Sequence, residues 1–156
     1  MKKARINTPL GIAELTGDQD GLAAVKVLDE GDISTEIPAE LKIPAQQLKA
    51  YFKGELKEFD LKLNPQGTDF QKKVWNKLLE IPYATTTSYL ELSRQLGDEK
   101  AIRAVASANG KNPLWVIIPC HRVIGSDGSL TGYAGGLHRK KWLLDHENPP
   151  TQQSLF

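Results

Sequence analysis

The chain has 156 residues, 40% of them hydrophobic and 25% charged, with a formal net charge of +1. That is the make-up of a globular protein of one domain or two small lobes, long enough to bury an ordinary core. No apolar run approaches membrane-spanning length and the first residues, Met1-Lys2-Lys3-Ala4-Arg5-Ile6, lack the apolar stretch of a signal peptide, so a cytoplasmic protein with no membrane partner is expected.

Residues 4–28 alternate around two turn clusters, Asn7-Thr8-Pro9-Leu10-Gly11 and Gly17-Asp18-Gln19-Asp20-Gly21, which predicts a small antiparallel meander. A short helix is predicted over 45–52 and a strand near 59–63, before the break Asn64-Pro65-Gln66-Gly67. This break divides an N-terminal lobe, 1–65, from a C-terminal lobe, 66–150, with 151–156 as a tail. Thr68 is the expected N-cap of the next helix, whose apolar stripe Phe70, Val74, Trp75, Leu78 and Leu79 assigns it to the core. Ile81-Pro82-Tyr83 ends it, and Thr85-Thr86-Thr87 reads as extended.

Ser88 is placed to cap a helix over 89–96; Gly97 stops it and a second helix follows over 99–109, the spacing of a helix-turn-helix. The second of these helices runs Arg103-Ala104-Val105-Ala106-Ser107-Ala108-Asn109-Gly110, almost all small. Such a helix either packs tightly or enters a narrow groove. The apolar run Leu114-Trp115-Val116-Ile117-Ile118 predicts a buried strand ending at Pro119, and residues 137–146 a closing helix with Trp142 and Leu143 facing inward. The whole is an α/β (α+β) fold: an antiparallel sheet and helix in the first lobe, then a mainly helical lobe with a helix-turn-helix and a short active-site strand.

Charge is unevenly placed. Residues 1–98 carry 13 basic against 15 acidic side chains. Residues 99–141 carry seven basic ones (Lys100, Arg103, Lys111, Arg122, Arg139, Lys140, Lys141) against Glu99 and Asp127. A basic region of this kind is either a solvated surface or a seat for a phosphate backbone.

Cys120 is the only cysteine. It has no partner for an intramolecular disulfide, it fits a reducing compartment, and with three histidines it offers no metal-ligand set. It is either a small hydrophobe packed in the core or a thiol presented at a strand end beside the polar pair His121-Arg122. His138 and His146 are expected on the surface.

The order Asn112-Pro113, apolar run, Pro119-Cys120-His121-Arg122-Val123-Ile124-Gly125, Gly128, Gly132-Tyr133-Ala134-Gly135-Gly136, Trp142-Leu143-Leu144 and Glu147 resembles the O6-alkylguanine-DNA alkyltransferases from about Asp69 to Glu147. The resemblance implies direct repair, in which an alkyl group on O6 of guanine moves irreversibly to Cys120 in one turnover, with no cofactor; some members also hold a structural zinc, for which this sequence offers no ligand set. O4-alkylthymine is the expected second substrate. It further implies that a monomer binds double-stranded DNA from the minor groove and flips the target nucleotide into a pocket, since a thiol cannot reach the oxygen inside a duplex.

By matching positions, His121 is the base that activates Cys120, Glu147 orients His121, and Tyr89 supports the guanine leaving group. Because neighbours in extended chain face opposite ways, the thiol and imidazole are expected to communicate through a water. Arg103 matches the family's arginine finger, and Ala104 and Ser107 share its small-residue helix. Tyr133, Ala134 and Gly135 form the pocket loop; Ala134 stands where several members have serine, leaving backbone donors alone to meet the guanine oxygen. Asn112 matches the asparagine that shapes the active-site turn. Arg122 and Val123 complete the expected contact set, with Arg122 read as structural. Two other classes fit less well: a damage-binding protein without transfer activity, disfavoured because Cys120 is present, and a cysteine hydrolase, disfavoured because nucleophile and base are adjacent.

Overall fold

The computed structural model describes residues 1–149; the predicted tail, 151–156, lies outside the described residues. Two compact units form, Met1–Gln66 together with Pro113–Ile117, and Gly67–Asn112 together with the chain from Ile118 onward. The five residues 113–117 therefore belong to the first unit, although they are flanked on both sides by the second.

In the first unit β1 (Lys2–Thr8), β2 (Gly11–Asp18) and β3 (Gly21–Leu28) make the predicted meander in the order β1-β2-β3. Alternation turns Ala4, Ile6, Ala13, Leu15, Ala23, Val25 and Val27 inward, where helix α1 (Ala39–Phe52) covers the sheet. The helix starts six residues before the predicted 45, on the far side of Pro44. Proline removes one amide donor near the helix start, but the apolar stripe Leu41, Pro44, Ala45, Leu48 and Tyr51 runs unbroken across it and is buried.

Two predicted strands do not form. Residues 62–64 meet β3 at one bridge, Leu22↔Leu63, with Leu22 N–H donating to Lys62 O at 2.9 Å and Asn64 N–H to Leu22 O at 2.8 Å. Three residues further along the same edge, Val25 N–H donates to Pro113 O at 2.9 Å and Trp115 N–H to Val25 O at 3.0 Å. One edge of eight residues is thus shared between two short segments, and neither extends into a ladder. The apolar run 114–118 is buried as expected but turns, with Val116 held at φ 75°. That conformation is costly for a β-branched residue and ends any strand there.

The second unit opens with α2 (Asp69–Leu78), capped by reciprocal hydrogen bonds between Thr68 and Gln71. Val74, Trp75 and Leu78 are buried, whereas Phe70 and Leu79, expected in the same stripe, are 40% and 44% exposed. Trp75 Nε1 donates to Ala108 O at 2.8 Å and so anchors α2 to helix α4 (Ile102–Gly110). The strand β4 (Thr87–Ser88) leads into α3 (Tyr89–Gln95), with Ser88 as its cap and Gly97 at φ 95° after its end. A single 3-10 turn, Glu99–Ala101, precedes α4, so the helix-turn-helix is present with a later second start. The cysteine is followed, not preceded, by a strand: β5 (Val123–Ile124) pairs in parallel with β4. Helix α5 (Leu137–Glu147) closes the unit, with Leu143 buried and Trp142 partly exposed, stacked on His146 at 4.8 Å.

Candidate active site

The chain reverses sharply just before the cysteine. Pro119 sits at φ −80°, ψ 61°, and Cys120 N–H donates to Ile118 O at 2.7 Å, the geometry of an inverse γ-turn. Residues Cys120–Arg122 then form a 3-10 turn. The extended backbone expected from the sequence is therefore absent, and Cys120 and His121 are not constrained to face opposite ways. Asn112, 3% exposed, spans the preceding loop by donating from Nδ2 to Ile118 O at 2.8 Å.

Cys120 is 4% exposed. Burial pushes its thiol up from 9.0 to about 11, against the opposing pull of a hydrogen bond from Asn112 and the nearby charge of Lys140. At neutral pH the sulfur is therefore a protonated thiol that needs a base to become a nucleophile. His121 is fully buried, and burial lowers its pKa despite a hydrogen bond to Glu147, so the imidazole is neutral at pH 7. Its Nε2 lies 2.8 Å from Glu147 Oε2, while Nδ1 has no hydrogen-bond partner among the described residues. A carboxylate on Nε2 selects the tautomer with the proton there and leaves Nδ1 as the bare, basic nitrogen.

Glu147, the last residue of α5, is held by several donors among the described residues. Arg122 donates from Nε to Oε1 at 2.8 Å and from Nη2 to Oε2 at 2.9 Å, and Ala84 N–H reaches Oε1 at 3.2 Å. With His121 this fixes both oxygens. Ala84 adopts φ 64° to make its contact, a strained conformation for a residue with a side chain. Arg122 Nη1 also donates to Ile81 O at 2.7 Å. Arg122 and Val123, expected among the contact residues, are 6% and 0% exposed: Arg122 is a clamp on Glu147 and Val123 is core, so neither side chain meets a ligand at the surface.

Tyr89 stands at the start of α3, and its hydroxyl donates to Thr131 O at 3.1 Å. Burial raises its pKa, and that of Tyr133 much more; ionisation of Cys120 would raise both further. The loop between them is shaped by glycine. Gly132 lies at φ 54° with the position of a Cβ only 3.7 Å from the Tyr89 oxygen, and Gly136 at φ 93° starts α5. Gly135 is buried and Ala134 exposed.

One residue of this cluster was not expected. Lys140 is fully buried, with Nζ donating to Val123 O at 2.6 Å and Thr131 O at 2.7 Å, and burial brings its pKa down to about 8. Its charge opposes the rise in the Cys120 pKa, and its Nζ lies 5.8 Å from the centre of the Tyr89 ring. Its signal was in the sequence: Lys140, Leu143 and Glu147 fall three and four apart on one helix face. Arg139 is buried as well, with Nη1 donating to Gly135 O at 3.2 Å. Three of the seven cations in the basic region, Arg122, Arg139 and Lys140, are therefore internal, and Lys100, Arg103, Lys111 and Lys141 are exposed. On α4, Arg103, Ala104 and Ser107 are exposed while Val105, Ala108 and Asn109 face inward. His138 is exposed and His146 partly so. Among the described residues no cluster of three or more His, Cys, Asp or Glu could hold a metal, and no helix is long and apolar enough to cross a membrane.

A buried thiol beside an imidazole–carboxylate pair, on a unit that carries a helix-turn-helix, defines the class of cysteine-acceptor methyltransferases. Residues 1–65 match the 6-O-methylguanine DNA methyltransferase ribonuclease-like domain, and residues 69–149 the 6-O-methylguanine DNA methyltransferase DNA binding domain. The methylated-DNA–protein-cysteine methyltransferase of Methanosarcina acetivorans is 47% identical over 94% of this chain and 98% of its own. The crystal structure of the Mycobacterium tuberculosis O6-methylguanine methyltransferase matches with a TM-score of 0.84 and 44% identity, covering 99% of this chain and 98% of that one. That of M. tuberculosis OGT in complex with DNA matches equally well, at 0.84 and 46%, over 92% and 90%. The chain belongs to the 6-O-methylguanine DNA methyltransferase family.

Proposed function

We propose that this protein, acting as a cytoplasmic monomer without a cofactor, repairs double-stranded DNA by moving an alkyl group from O6 of guanine, and more weakly from O4 of thymine, onto Cys120 in a single turnover. The observation that carries the reading is the buried Cys120 thiol beside a neutral His121 whose Nε2 is committed to Glu147 and whose Nδ1 is bare. Nδ1 takes the thiol proton through one bridging water, and Glu147 stabilises the imidazolium that forms. The thiolate attacks the alkyl carbon, the S–C bond forms as the C–O6 bond breaks, and the electron pair leaves with O6. The proton then passes to the departing guanine, with the Tyr89 hydroxyl supporting the charge that develops on it. A thioether offers no leaving group, so the protein is not regenerated. Lys140 lowers the cost of the thiolate by its charge.

A base in a duplex reaches a buried thiol only by rotating out of the stack, at a cost of a few kcal/mol. The exposed face of α4, with Ala104 and Ser107, is slim enough for a minor groove about 6 Å wide, and Arg103 beside them fills the gap the nucleotide leaves. Arg103 makes no hydrogen bond or ion pair among the described residues and is available for that role. Intact-mass analysis after incubation with duplex containing O6-methylguanine tests the reading. A gain of one methyl group per chain, located on Cys120 and absent in Cys120→Ser, is expected. Many turnovers per chain would mark a hydrolase instead, and binding with no mass change a damage-recognition protein.

A further inference from the structure

The connection from α2 to β4 touches the Arg122–Glu147 pair at two points. Ile81 O accepts from Arg122 Nη1 at 2.7 Å, and three residues later Ala84 N–H donates to Glu147 Oε1 at 3.2 Å. Thr85 N–H donates to Pro82 O at 3.2 Å, which closes a β-turn over 82–85 with Tyr83 and Ala84 at its centre. Ala84 has φ 64°, and Tyr83 before it has no positive φ. Positive φ at the third position alone is the type II pattern, and that position ordinarily takes glycine or asparagine. An alanine there is strained, and such strain persists only where the surroundings hold it. The methyl group is not what is held. It is exposed at a cavity of about 490 Å³ that also reaches Leu130 and Leu144, so even a larger side chain has room. The held group is the amide.

Type I and type II turns differ by a rotation of the central peptide through about half a turn, so that its N–H and C=O exchange sides. In the commoner type I form the Tyr83 carbonyl would face Glu147, and oxygen would meet oxygen. In the type II form an amide hydrogen meets the carboxylate. Oε1 then receives Ala84 N–H and Arg122 Nε, and Oε2 is turned to Arg122 Nη2 and, at 2.8 Å, to His121 Nε2. Arg122 and His121 hold Glu147 through side chains, whereas Ala84 holds it through main chain that the turn itself fixes. We propose that Ala84 is a positioning residue, whose left-handed backbone aims an amide at Glu147 Oε1 and so keeps the carboxylate in the rotation that places the His121 proton on Nε2 and leaves Nδ1 free to act as the base. The inference rests on the proposed alkyl transfer to Cys120 and names what orients the carboxylate behind it.

The test separates the amide from the side chain. Replacing the Tyr83–Ala84 amide by an ester, with lactic acid in place of Ala84, removes the hydrogen and leaves the methyl group. Single-turnover transfer from O6-methylguanine in duplex should then slow by at least about 10-fold near pH 7, the effect of one hydrogen bond to a charged group. Ala84→Val keeps the hydrogen, but its branched side chain resists positive φ and should cause a loss of similar size. Ala84→Gly, which adopts the turn without strain, should recover what Ala84→Val loses, to within about twofold of the wild type. Because only the assisted deprotonation is impaired, both losses should shrink as pH rises toward the thiol value of about 11. The charged and titratable groups around the pair, Arg122, Lys140, Tyr83 and Cys120, are the same in every variant. An ester variant with the wild-type rate and pH profile would overturn the assignment, as would losses that stay constant up to about pH 10. Nitrogen NMR shifts of His121 test it without substrate: the ester should lower the share of the tautomer protonated at Nε2, and an unchanged share overturns the assignment. Absence of transfer by the wild type overturns the alkyl-transfer reading, and the tautomer measurement still decides the role of Ala84.

Discussion

At His121 the two ring nitrogens have different duties, and this decides which substitutions are informative. Glu147 serves His121 and Arg122 at once, so Glu147→Gln would leave a buried guanidinium without its counter-charge. Breaking such a pair costs about 3–5 kcal/mol, and a loss of activity in that variant mixes chemistry with folding. His121→Ala leaves the Arg122–Glu147 pair in place and removes only the imidazole proposed as the base. It should slow methyl transfer by about 100- to 10,000-fold near pH 7, the usual contribution of a general base. The defect should shrink as pH rises toward the thiol value of about 11, because hydroxide then removes the proton that His121 no longer takes. The pH dependence of transfer, compared with that of the wild type, is the measurement. A defect that stays constant up to about pH 10 would show that His121 is structural.

Among the elements, α4 has two faces with separate tasks. Its inner face, Val105, Ala108 and Asn109, packs against α2 and α3, and its outer face offers Arg103, Ala104 and Ser107. Substitution on the outer face should leave the fold nearly untouched, within about 0.5 kcal/mol. If Arg103 holds the flipped state as proposed, Arg103→Ala should slow repair of duplex DNA by at least about 10-fold and leave reaction with the free alkylated base unchanged. Parallel rate measurements on the two substrates settle this. An equal loss on both would place Arg103 in the support of α4 instead of at the DNA.

For the molecule as a whole, the buried site makes stability depend on pH in the alkaline range. The Cys120 pKa is raised on folding from 9.0 to about 11, so the protonated thiol contributes stability that is fully present below pH 9 and is lost as pH rises through 11. Two pH units correspond to about 3 kcal/mol. Lys140 acts in the opposite direction: its value falls from 10.5 to about 8, so its contribution is present above 10.5 and lost as pH falls through 8. Cys120→Ala retains the lysine and removes the thiol. The stability of the wild type relative to Cys120→Ala should therefore fall by about 2 kcal/mol between pH 9 and 11, and by about 3 kcal/mol over the whole titration, measured by urea unfolding at each pH. A difference independent of pH would mean that the thiol is not desolvated in the folded protein.

The features legible in the chain are those whose cause lies within a few residues. Two turn clusters set the meander, Thr68 and Ser88 cap their helices with their own hydroxyls, and Gly97 stops α3 because it accepts φ 95°. Nucleophile, imidazole and carboxylate came into view differently, through the family resemblance, since Glu147 lies 27 residues from Cys120. What the chain did not disclose depends on partners distant in sequence. Whether 62–64 and 113–115 become strands was decided by one edge of β3 that both must share. Whether Arg122, Arg139 and Lys140 face solvent was decided by Glu147, Gly135, Val123 and Thr131, whose oxygens accept their hydrogens inside the protein. A positive charge reads the same in a sequence whether it is solvated or buried. The difference is the desolvation penalty and the acceptors that offset it, and these exist only once the chain has folded.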